Sequence, residues 1–98
     1  MPAIMVTIAS FAHDGAEHYA RYAAGVLPLL EKAQVKLRER LGGREALVGE
    51  DFPELVAVLE FPNEVAMKSF LSSQEYRALI PHREKAFKTL RTFSCEVL

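Results

Sequence analysis

Few side chains in this 98-residue chain are placed to do chemistry, and Arg83 is the most informative of them. Tyr76, Ile80, Arg83, Phe87 and Leu90 recur at spacings of four, three, four and three, the period of one helix face. That stripe puts a guanidinium among apolar neighbours, where an unpaired charge is strongly unfavourable and a partner is required. Glu60 is one candidate partner and the carboxylate of a bound molecule is the other, because an arginine fork matches either. Tyr19, Tyr22 and Tyr76 fall on core-facing stripes as well. With Arg83 and Glu60 they form the expected ligand-binding set, lining a pocket for a small, partly apolar acid. The plainer alternatives are a structural ion pair for Arg83 and tyrosines that satisfy their hydroxyls at the core margin.

His13, His18 and His82 are the remaining titratable candidates near neutral pH. His13 stands at a strand-to-helix junction, and His18 follows five residues later, so the two do not share a helix face. No acidic residue completes a ligand triad, and no metal site is expected. His13 and His18 are left as the candidates for a catalytic base. Cys95 alternates with Phe93 and Val97 and reads as a small core residue, with no basic neighbour on its face to activate the thiol. A single cysteine forms no internal disulfide. Glu60 and Glu96 would lie two strands apart, about 10 Å, too far for a working carboxylate pair. Phosphate loops, nucleophile elbows, C-x-x-C and H-E-x-x-H are all absent, so no cofactor is expected.

Composition narrows the partners. Twelve Lys and Arg against 13 Asp and Glu, mixed through both halves, leave no basic footprint for nucleic acid. No run approaches the roughly 18 apolar residues of a membrane span. The apolar start MPAIMVTIASF lacks the basic leader and cleavage site of an export signal. A single cytoplasmic domain over residues 1–98 is the expectation.

The elements that must position these residues follow from periodicity. Ala3–Phe11 is apolar on both faces and reads as a covered strand. Asp14 is the expected cap of a helix from Ala16 to about Leu41, kinked or divided near Gly25 by Pro28 and stopped by Gly42-Gly43. Arg44–Val48 reads as a short strand, Gly49–Pro53 as a turn, and Glu54–Phe61 as the second strong strand. Asn63 caps a helix over Glu64–Leu71, and a Ser72–Glu75 capping box opens another through Tyr76, Leu79 and Ile80 to about Lys88. Leu90–Leu98 closes as a strand.

The order β-α-β-β-α-β predicts an α+β, ferredoxin-like domain, an antiparallel four-stranded sheet with helices on one face. Its strands are apolar on both parities, so the uncovered face would leave several Val, Ile or Met side chains in water at roughly 1.5–3 kcal/mol each. A homodimer through that sheet face is expected. On the last strand, Thr92, Ser94 and Glu96 would make the second face mixed rather than wholly apolar.

The stretch LEFPNEVAMKSFLSSQEYRALIPHR (Leu59–Arg83) resembles a family of small bacterial proteins of unknown function with a dimeric α/β-barrel fold. The shared pattern is Glu60-Phe61-Pro62, then Ser73-Gln74-Glu75-Tyr76, then Arg83; Asp14, Tyr19 and Tyr22 extend it into the first helix. Phe70 stands where the family often carries Trp or Tyr, and the central hairpin looks short. The resemblance implies a dimeric ferredoxin-like fold and no established activity; the wider superfamily includes cofactor-free monooxygenases, isomerases and haem-handling enzymes, and fold alone does not choose among functions. Three readings stand: a binder of a small organic molecule such as an acid, a cofactor-free enzyme (monooxygenase or isomerase type) using His13 or His18, and an interaction module without ligand.

Overall fold

In the computed structural model, which describes residues 1–98, four strands and four helices alternate in the expected order. They are β1 (Ala3–Phe11), α1 (Ala16–Lys32), β2 (Lys36–Gly42), β3 (Leu55–Phe61), α2 (Glu64–Ser72), α3 (Gln74–Arg77), α4 (Ile80–Ala86) and β4 (Phe87–Cys95). The sheet runs β2-β3-β1-β4, and every neighbouring pair is antiparallel. Only one face is covered by helices, and the molecule is a slab of 35 × 34 × 16 Å.

The second strand is where the structure departs most from the sequence reading. The helix expected to reach Leu41 ends at Lys32, and Lys36–Gly42 is β2. The stop is made without glycine. Gln34 takes a left-handed φ of 58°, its N–H donates to the Glu31 carbonyl, and the Val35 N–H donates to the Leu30 carbonyl. These two bonds are the Schellman closure, sealed here by Val35, which packs against the core cluster that contains Leu30. Pro28 leaves α1 a single helix. Because β2 starts at Lys36, the central hairpin is longer than expected, and Arg44–Val48 is loop rather than strand.

Smaller corrections have local causes. Asp14 adopts a left-handed φ of 59° and makes no capping bond; Gly15 occupies the cap position of α1. A side chain at Gly15 would place its Cβ 2.6 Å from the Ala86 carbonyl oxygen, so only glycine lets α1 start against the end of α4. Gly25 permits a similar close approach farther along α1, where Leu79 occupies the space a Cβ would need. Asn63 caps α2 as expected, accepting from the Ala66 N–H at 2.8 Å. The next cap is Ser73, which accepts from the Tyr76 N–H, whereas the Ser72 hydroxyl turns back to the Lys68 carbonyl. The final helix is broken into α3 and α4, and β4 begins three residues early, at Phe87.

The core lies between sheet and helices. Met5, Leu59 and Phe61 from the strands meet Leu30, Met67, Phe70 and Tyr76 from the helices, and Phe61 is wholly buried. A smaller cluster of Ala9, Ala86 and Phe87 seals the other end. Only 11 of the 98 residues are buried, a thin core for one copy of the chain. On β4 the parity is the reverse of the sequence reading. Thr92 pairs with Thr7 and Ser94 with Met5, so they face the helices; Arg91, Phe93 and Cys95 face away. Cys95 is therefore a half-buried residue of the uncovered face rather than a core residue.

Candidate functional site

Between α1 and the sheet lies a cleft with a cavity of about 190 Å³. Its floor is the alternating inward set Met5 and Thr7 of β1 with Leu55, Ala57 and Leu59 of β3. Thr7 and Thr92 share a hydroxyl hydrogen bond of 2.9 Å across that floor. The roof is the apolar stripe of α1, Tyr19, Tyr22, Ala23, Val26, Leu27 and Leu30, whose three-and-four spacing turns one side of the helix to the sheet. Phe70, Leu71 and Tyr76 close one end. Leu37 and Arg40 contribute from β2.

All three sequence-predicted tyrosines line the cleft. Tyr22 and Tyr76 join hydroxyls at 2.9 Å, and Arg83 donates from Nη1 to the Tyr76 hydroxyl at 3.1 Å. The guanidinium also lies over the Tyr76 ring, 5.8 Å from its centre. Arg83, Tyr76 and Tyr22 thus form a chain that ends at the cavity wall. Burial, first, and then the adjoining Tyr76 push the Tyr22 phenol far above its ordinary ionisation range, so it remains a protonated donor. Around Arg83, burial opposes the charge, but the hydrogen bonds to Tyr76 and Glu84 outweigh it and hold the guanidinium more firmly protonated than usual.

Two members of the expected set lie elsewhere. Arg83 itself does not line the cavity; it stands behind Tyr76, with its Nη2 3.3 Å from Glu84. Glu60 is not its partner. Strand alternation puts Glu60 on the uncovered face, where Arg38 holds it at 3.1 Å. Sequence places both groups on apolar strips but offers no means of seeing that a sheet separates them.

The histidines divide differently from expectation. His13 is exposed, its ring 3.7 Å from Asp14. His18 and His82, unrelated by any sequence pattern, come together across α1 and α4 with ring centres 6.1 Å apart, and the buried His18 Nδ1 has no hydrogen-bond partner. None of the three lines the cleft.

Arg40 escapes the sequence reading. Its guanidinium donates to the Tyr19 hydroxyl and lies 5.8 Å from the centre of that ring. In a helix tail it would be a solvated charge; only its strand register reveals it.

The model of a family described as a domain of unknown function (DUF1330) matches residues 6–93. No functionally curated protein matches the chain. A crystal structure of a protein of unknown function from Rhodopseudomonas palustris is similar at TM-score 0.87 and 23% identity, covering 99% of this chain and 82% of that one. A dimeric ferredoxin-like protein of unknown function from Jannaschia sp. CCS1 is similar at TM-score 0.77 and 9% identity, covering 99% and 100%. Another dimeric protein of unknown function with a ferredoxin-like fold, from Bacteroides fragilis, is similar at TM-score 0.65 and 14% identity, covering 98% and 96%. At such identities the likeness establishes the ferredoxin-like fold.

Proposed function

The chain belongs to the DUF1330 family, a domain of unknown function, and from that premise we propose that it is a self-associating small-molecule binder whose cleft takes a largely apolar organic ligand. The observation that carries this reading is the cavity itself. An interaction module without ligand would fill the space between helix and sheet with its own side chains, and here about 190 Å³ stays open. An engineered apolar cavity of ~150 Å³ holds benzene, so the space suits a body of about one ring. The protonated Tyr22 hydroxyl, backed by Tyr76 and Arg83, offers the polar contact that orients such a body.

The same proposal covers the partner. Ile4, Val6, Ile8, Val56 and Val58 share the uncovered face with Phe93, which is 45% exposed. The loop between β2 and β3 is no cover, since Leu47 and Val48 remain almost fully exposed. A second copy laid face to face buries this patch isologously. The Jannaschia and Bacteroides proteins are described as dimeric, which supports self-association. No helix is long and apolar enough to cross a membrane, and with one free cysteine this fits a cytoplasmic protein.

Titration with phenylacetamide, followed by amide chemical shifts, tests the cleft. Shifts confined to cleft-lining residues are expected, and Ala57→Leu, which fills the floor, should weaken binding at least ~tenfold. Shifts elsewhere, or none, would overturn the reading.

A further inference from the structure

We propose that Arg40 is the anion anchor of the cleft and that the ligand is a carboxylic acid whose body, about one ring in size, fills the cavity. This rests on the cleft being a ligand site and assigns the chemical class of what it takes.

Arg40 is the only charged residue among those lining the cleft. No carboxylate pairs with it, in contrast to Arg38 two residues earlier, which is bound to Glu60 on the opposite face. A β-bulge produces this difference. Leu37 pairs with Leu59 and Glu39 with Val58, so Arg38 is an extra residue in β2. Without it, strict alternation from Leu37 would send Glu39 and Leu41 inward and Arg40 out to the uncovered face. With it, Arg40 pairs with Ala57 on the cleft floor. Bulges re-aim side chains in this way beside functional sites.

The re-aimed guanidinium is then held in place. Tyr19 accepts its hydrogen bond and lies beneath it, and Tyr19 is itself fixed edge-on against Phe11 and Phe87, with ring centres 5.1 and 5.7 Å away. One bond to a neutral phenol leaves most of the five guanidinium donors free, in the fork that a carboxylate matches. Arg83 is a poor alternative anchor, because Tyr76 stands between it and the cavity and Glu84 already takes its Nη2. A ligand seated here would extend its acid toward β2 and its ring beneath α1, toward Tyr22.

Phenylacetate and phenylacetamide, nearly equal in shape and different in charge, separate the possibilities in calorimetric titrations near pH 7. The wild-type protein should bind the acid at least ~tenfold more tightly than the amide. Arg40→Gln should erase that preference by lowering acid affinity far more than amide affinity, and Arg83→Gln should leave the preference intact. Equal affinities in the wild type, or a preference that survives Arg40→Gln or is lost with Arg83→Gln, would overturn the assignment while the cleft remains a ligand site. If neither compound binds, the cleft reading fails and this assignment with it.

Discussion

The two faces of the sheet are built from the same kinds of residue and meet opposite fates. On the helix side, Met5, Leu59 and Phe61 are buried by α1 and α2, yet the middle of that face keeps an open cleft. On the other side, Val6, Ile8, Val56 and Val58 have no covering element, and polar contacts such as Arg38–Glu60 gather at the β2 edge. Apolar character alone therefore does not say which surface makes the core, which makes a site and which meets a partner. The distinction comes from what packs on each face, and it can be challenged by mutation.

The largest effect is expected at the covered face. Phe61 is wholly buried and packs edge-on against Phe70 at 5.5 Å, so Phe61→Ala should cost about 3–5 kcal/mol in urea unfolding. That cost should not depend on protein concentration. Phe93→Ala on the uncovered face should cost under about 1 kcal/mol in dilute protein, and more as concentration rises, because it acts through the proposed dimer. Equal, concentration-independent losses would remove the distinction between the faces.

Next in size is Val58→Asp, at the middle of the uncovered face and in register with Val6. A carboxylate there should raise the dimer dissociation constant at least ~100-fold, about 3 kcal/mol, with the circular dichroism spectrum unchanged. Native mass spectrometry reads the outcome directly. A variant that stays dimeric would move the interface to another surface.

The smallest effect sharpens the cleft. Tyr22→Phe removes one hydrogen bond to Tyr76 and should cost about 1 kcal/mol at pH 8. Its pH dependence has a definite sign. The folded-state ionisation of Tyr22 lies above the value of about 10 for an unfolded tyrosine. Below that pH both states keep the proton and the contribution is complete. Above it the unfolded chain ionises first, and wild-type stability falls as pH rises. Tyr22→Phe lacks this loss, so the gap between the two proteins should narrow between about pH 10 and 12 in chemical denaturation. A constant gap would show that Tyr22 is not held neutral by the fold.

Much of the site is legible one residue at a time. The spacing of Tyr19, Tyr22, Ala23 and Val26 marks the cleft side of α1, and the position of Tyr76 relative to Arg83 marks two groups that do meet. The partners of the charges are not legible. Apolar surroundings in sequence suggest Glu60 for Arg83, whereas the fold gives Glu60 to Arg38. Leu37 and Leu41, four residues apart, satisfy a helical stripe as readily as they satisfy a bulged strand, so β2 reads as helix and Arg40 as solvent-facing.

By itself, the sequence determined the order of elements, the two central strands with apolar residues on both parities, and the helix face that meets the sheet, because these depend on periodicities of a few residues. Tertiary structure decided the end of α1, the bulge in β2 and the separation of Arg40 from Arg38. Those outcomes depend on Val35 joining the core cluster that holds Leu30 and on how β2 registers against β3, packing that is settled only when sheet and helices come together.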